Sequence, residues 1–323
     1  MTAKTAVPRP AAAPVRPAPA GPLRRLSAAR RRIRVPAPVQ RAAMVLPAGV
    51  LVSVLMLVPI GLAGYLSFTD WDGLSPDPKV VGWANYTHLF QDPAVRQAAV
   101  VTLVITVVGT LACNAAGLGL ALLLNGRSRG NSLLRAIVFY PYVIGPIIIG
   151  FLWSAILSAD GAIAGALASV HSGAPPFLAS PGWALGSIVF VVVWSQFGVN
   201  VVLYLAGLQT IPAALLEAAR IDGAGRWRTF RSVTWPMLAP SVTVNVVLVL
   251  VGLLRVYEIV LALTNGGPAG RTSSFAFLIL STSFRNDKLG YGSAQALTLM
   301  VAIGALAFAV TALRQRAERE VSA

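Results

Sequence analysis

Charge is scarce in this chain of 323 residues: only 11% are Asp, Glu, Lys or Arg, while 56% are hydrophobic. A composition so poor in charge and so rich in apolar residues excludes an ordinary soluble domain. Cysteine is nearly missing too. Cys113 stands alone inside an apolar run, which excludes an intramolecular disulfide and leaves a small packing residue as its reading. Histidine is limited to His88 and His171, without partners at metal-ligand spacing, so no metal site is expected. The only lysines, Lys4, Lys79 and Lys288, occupy no Gly-Lys-Ser/Thr setting that could cradle phosphates, so the chain is not expected to hydrolyse ATP. No carboxylate pair or nucleophile arrangement suggests catalysis.

What the chain does have is apolar length. Runs of roughly 20 residues, enough to cross a bilayer, recur near 43–67, 98–125, 133–158, 183–208, 239–264 and 293–313. The expected fold is therefore all-α, a polytopic membrane protein with six transmembrane helices. Prolines 47, 59, 141 and 146 fall within these runs and are expected to kink them.

The net charge of +15 would suggest nucleic acid in a soluble chain, but its placement argues for membrane topology instead. Twenty Lys and Arg fall in the N-terminal segment 1–41, the loops 126–135 and 209–238, and the tail after 313. Five fall in the opposite loops, and Arg255 lies within a span. By the positive-inside rule both termini and the 209–238 loop are expected in the cytoplasm. Residues 1–41, rich in Ala, Pro and Arg, read as a disordered basic tail, 42–314 as the membrane domain and 315–323 as a C-terminal tail. The cluster Arg30-Arg31-Arg32 resembles a twin-arginine signal, but a full-length span follows it and orienting the first helix at anionic lipid is sufficient.

The cytoplasmic loop carries its own pattern. Pro212 suits a helix start, 213–221 is built mostly from good helix formers, and Gly223 stops it. A second short helix over 225–234 would align Trp227, Phe230 and Val233, with Arg226, Arg228 and Arg231 largely elsewhere, until Pro236 and Pro240 end it. Two readings stay open: a knob that inserts into a groove on another protein, and an amphipathic loop resting on the membrane surface.

Glu217, Ala218, Ala219, Asp222, Gly223, Ala224, Phe230, Pro236 and Pro240 resemble the EAA motif of permease subunits of bacterial ATP-binding-cassette importers, with Trp235 where that family usually has Leu. Val81-Gly82-Trp83-Ala84-Asn85-Tyr86, Phe139-Tyr140-Pro141-Tyr142, Leu205-Ala206-Gly207-Leu208-Gln209 and Thr264-Asn265-Gly266-Gly267-Pro268 are similar to permeases of the maltose and glycerol-phosphate type, so the resemblance spans about 43–313. It implies a cell-membrane permease for a carbohydrate-like solute. The implied partners are a second, non-identical permease, a dimeric cytoplasmic ATPase that binds ATP and magnesium, and an extracellular binding protein. The loop 212–236 would be the coupling helix that contacts the ATPase.

Ionisable and amide side chains within spans are costly and normally face a partner or a wet cavity. Arg255 and Glu258, three residues apart, are expected to share a helix face and pair; the alternative has them line the solute pathway with Tyr257. Asn200, Gln196 and Trp194 are further pathway candidates. Two other function classes remain. A secondary carrier would need acidic or histidine relays inside its spans, and only Glu258 qualifies. A membrane anchor for a cytoplasmic complex would use the knob but need no polar cavity.

Overall fold

The structure, a computed structural model, describes residues 37–322 apart from 127, 170–172 and 174. The basic tail up to residue 36 and His171 lie outside the described residues. The chain divides between Leu57 and Val58 into two units. Within the first are α1 (Ala37–Val52) and a π-helical turn, Ser53–Leu57.

The second unit holds α2 (Val58–Leu66), α3 (Ala84–Gln91), α4 (Pro93–Leu123), α5 (Arg129–Val143), α6 (Pro146–Leu157), α7 (Ala162–Ser169) and α8 (Pro181–Gln209). It continues with α9 (Ala213–Ile221), α10 (Arg226–Thr229), α11 (Trp235–Leu254), α12 (Glu258–Leu263), α13 (Phe275–Leu280) and α14 (Leu289–Ser322). Among the described residues, 6 helices are long and apolar enough to cross a membrane: Val45–Leu66, Pro93–Leu123, Pro146–Ser169, Pro181–Gln209, Arg226–Leu254 and Leu289–Leu313.

Local chemistry sets the helix ends. Asp92 caps α4 by accepting from the Ala94 N–H, and Pro93 takes the first turn, where a missing N–H costs nothing. Two expected spans are corrected by such effects. The run 133–158 is broken at Ile144 and Gly145, because Pro146 disfavours helical geometry in the residue before it, so the third span starts at Pro146. In the fifth, Pro236 and Pro240 do not end a helix. A π-turn over Phe230–Thr234, in which the Trp235 N–H reaches back to the Phe230 carbonyl, leads α10 directly into α11. The same span stops at Leu254 rather than 264, with α12 starting after a break at Arg255–Tyr257.

The core sits where α4, α8 and α11 pack together, around Ile105, Ile188, Val191 and Leu253, with α12 against α6 beside it. Cys113, fully buried, faces the Val193 carbonyl, and Gly117 meets Asn200, so α4 and α8 run parallel. The start of α4 thus lies at the end opposite the loop that follows α8. Gly117 is required by contact: a Cβ there would stand 2.6 Å from the Asn200 Cβ.

Candidate functional site

A cavity of about 880 Å³ opens among α5, α6, α8 and α11, with Thr311 of α14 at its edge. Most of its wall is aliphatic, as helices built from Val and Leu dictate. The polar interruptions are Tyr142 on α5, Ser195, Gln196 and Asn200 on α8, Thr243 and Asn245 on α11, Arg255 at the end of α11, and Thr311. Successive turns place Gln196 and Asn200 on one face of α8. Ser195 Oγ is tied to the Val192 carbonyl at 2.9 Å, and Asn245 Nδ2 to the Ser241 carbonyl at 3.0 Å. Asn200, fully buried, has neither amide atom bonded to protein, and Asn245 Oδ1 is likewise unpaired. A buried amide left without a partner costs about 1–3 kcal/mol, which sets these atoms apart from the aliphatic wall around them.

The cavity brings together Gln196, Asn200 and Arg255 of the residues singled out in the sequence. It does not include Trp194, Tyr257 or Glu258. Trp194 packs edge-on against Trp153, with centroids 5.4 Å apart, and Tyr257 leans on the hydrophobic core. The expected Arg255–Glu258 helix face does not exist: Arg255 caps α11, while Glu258 opens α12 across a break at Val256 and Tyr257. Asn245, Ser195 and Thr243 were missed. A lone amide inside the run Val242–Val251 was a usable signal for Asn245; the hydroxyls, common in helices, gave none.

At the far end of α8 the Pro212–Pro236 loop builds a second feature. In α9, Glu217 and Arg220 are exposed. The helix closes with the Ala224 N–H on the Ala219 carbonyl (2.9 Å) and the Gly223 N–H on the Arg220 carbonyl (3.0 Å), with Gly223 at φ +71°. This is a Schellman ending, whose left-handed residue favours glycine. Asp222, exposed, and Ala224, half-buried, flank that glycine, and Ala218 is exposed beside the half-buried Ala219. Trp227 stacks on Phe230 at 5.7 Å, yet is 72% exposed, and Ile221 is 86% exposed. An apolar tip with a rim of Glu217, Arg220, Arg226 and Arg228 suits a protein groove.

Residues 114–321 match the family described as binding-protein-dependent transport system inner membrane component. The chain is 33% identical over 289 residues to the diacetylchitobiose uptake system permease protein of Streptomyces coelicolor, covering 83% of this chain and 80% of that protein. It is 34% identical over 262 residues to the sn-glycerol-3-phosphate transport system permease protein of Brucella abortus, covering 80% and 89%. In fold it is similar to a chain of a bacterial ABC transporter for the acidic polysaccharide alginate, with a TM-score of 0.76, 24% identity, and coverage of 86% and 97%.

Proposed function

Because the chain belongs to the inner membrane components of binding-protein-dependent transport systems, multi-pass permeases of ABC importers whose ATP is hydrolysed on a separate subunit, we propose that it walls the pathway of a carbohydrate-like solute. The observation that carries this reading is the cavity of about 880 Å³, apolar in the main but interrupted by the unpaired amide of Asn200 on α8 and the unpaired Oδ1 of Asn245 on α11. Such a wall suits a solute that offers hydroxyls and apolar ring faces. Gln196 and Asn200 are assigned to contact the solute, with Asn245 beside them. Trp194 and Tyr257, packed against the core, support that wall from outside the cavity, and Glu258 is given no solute contact.

The loop containing Glu217, Ala218, Ala219, Asp222, Gly223, Ala224 and Phe230 is assigned to dock a dimeric cytoplasmic ATPase, and with six spans both termini would then lie in the cytoplasm. The exposed Trp227 and Ile221 support this assignment. A second, non-identical permease would complete the pathway, and an external binding protein would deliver solute to it. Reconstitution of all subunits in liposomes tests the proposal. Uptake and ATP turnover should both rise when the loaded binding protein is added, and Asn200→Ala should lower uptake while the complex still assembles. Uptake driven by an ion gradient without ATP would overturn it.

A further inference from the structure

Two arginines share one bay at the end of the helices opposite the Pro212–Pro236 loop. Arg96, one turn into α4, and Arg271, in the segment between α12 and α13, line a single bay of about 580 Å³ whose lining contains no carboxylate. The acid that caps α4, Asp92, is already engaged by the Ala94 N–H and by the Tyr291 hydroxyl at 2.9 Å. Arg285, by contrast, is committed to Asn265 Oδ1 at 2.8 Å and to the face of Phe277.

The segment carrying Arg271 is held firmly. Thr264 and Thr272 bond through their hydroxyls at 2.9 Å, Ser274 Oγ donates to the Val256 carbonyl at 2.6 Å, and the Phe275 N–H donates to Thr102 Oγ1 on α4 at 2.7 Å. Gln97 of α4 reaches the Arg271 carbonyl at 3.5 Å. The two guanidinium stems are therefore anchored on elements that pack against each other.

Directly along α4 from the bay runs an exposed aliphatic stripe. Val100, Leu103, Val107 and Leu111 are 53%, 55%, 47% and 67% exposed. Their spacing from Arg96 keeps them on its face of the helix. At 1.5 Å per residue, Val107 lies about 16 Å deeper than Arg96, close to the thickness of one leaflet of a hydrocarbon core of about 30 Å. Val100 and Leu278 belong to the bay itself, so head and stripe are continuous.

We propose that this bay and stripe bind an anionic glycerophospholipid, its phosphate between Arg96 and Arg271 and an acyl chain along Val100, Leu103 and Val107. Guanidinium groups pair with phosphate through two parallel hydrogen bonds. A soluble anion would use the arginines and ignore the stripe. An acidic segment of a protein would gain nothing from aliphatic side chains descending to mid-bilayer depth.

The test is native mass spectrometry of the assembled transporter released from nanodiscs containing phosphatidylglycerol and phosphatidylcholine. Wild type should retain phosphatidylglycerol, and Arg96→Gln or Arg271→Gln should each reduce retention about fivefold. Leu103→Gln should also reduce it, while Lys79→Gln, elsewhere on the surface, should not. Equal retention by wild type and the double arginine variant would overturn the proposal. So would displacement of the lipid by excess glycerol phosphate, which would make the bay a site for soluble anions. Loss of binding-protein docking in the double variant with lipid retained would assign the bay to a protein partner instead. Lipid retention is read independently of transport, so failure here leaves the importer reading untouched.

Discussion

Replacing Gly223 by valine is expected to weaken attachment of the ATPase without disturbing the membrane helices. The residue sits at φ +71° and ends α9. A Cβ added there would meet nothing within 4 Å, so no steric repair is available and the whole cost lies in the backbone. An L-residue in the left-handed region is disfavoured by about 1–2 kcal/mol, and a β-branched one sits at the upper end. Relief of that strain would break the two closing bonds, from Ala224 to Ala219 and from Gly223 to Arg220. If docking requires this geometry, about 1–2 kcal/mol becomes a loss of affinity of roughly 5–30-fold. The assay is titration of the purified ATPase onto the permease with its proposed second permease, with ATP turnover measured in the same preparation. Gly223→Asn is the companion variant, since asparagine enters the left-handed region readily, and it should bind almost as wild type. Wild-type affinity for the valine variant, or equal losses for valine and asparagine, would refute the reasoning.

Three further expectations concern other parts of the molecule. Asn200→Leu removes two unpaired buried amide atoms, so thermal unfolding of the purified complex should be unchanged or later by the equivalent of about 1–2 kcal/mol, while solute uptake falls; reduced stability with normal uptake would contradict the assignment. In a Cys113→Ala background, impermeant thiol reagents applied to intact cells should label a cysteine at Lys79 and miss one at Arg226, whereas the reverse would invert the proposed topology. Asp72, half-buried, has its pKa lowered to about 2 because its carboxylate accepts the Ser75 and Leu74 N–H groups and the Ser75 hydroxyl. A depressed pKa stabilises the turn above the ordinary value of 3.8, and that contribution fades as pH falls through about 2. Proton exchange at the Leu74 and Ser75 amides should therefore stay slow at pH 5 and lose protection below pH 2, and Asp72→Asn should blunt the change.

The number and type of spanning helices could be read directly from the chain, because lipid tolerates only a segment that satisfies its own backbone and shows it an apolar surface. Gly223 as a helix stop was legible for an equally local reason: a turn of this kind needs a residue at positive φ. The cavity was not legible. α8 and α11 are apolar on nearly every side, so periodicity marks no inward face, and only packing brings Asn245 of one beside Gln196 and Asn200 of the other. Packing likewise decided that Arg255 and Glu258 part company, since a run of apolar residues reads alike whether its helix is continuous or broken, whereas the third span begins at Pro146 for the local reason that proline disfavours helix in the residue before it. The bay of Arg96 and Arg271 joins residues 175 positions apart in the chain. Local sequence determines what each segment becomes, whereas contacts between distant segments depend on how whole helices pack, and these decided which side chains share a cavity.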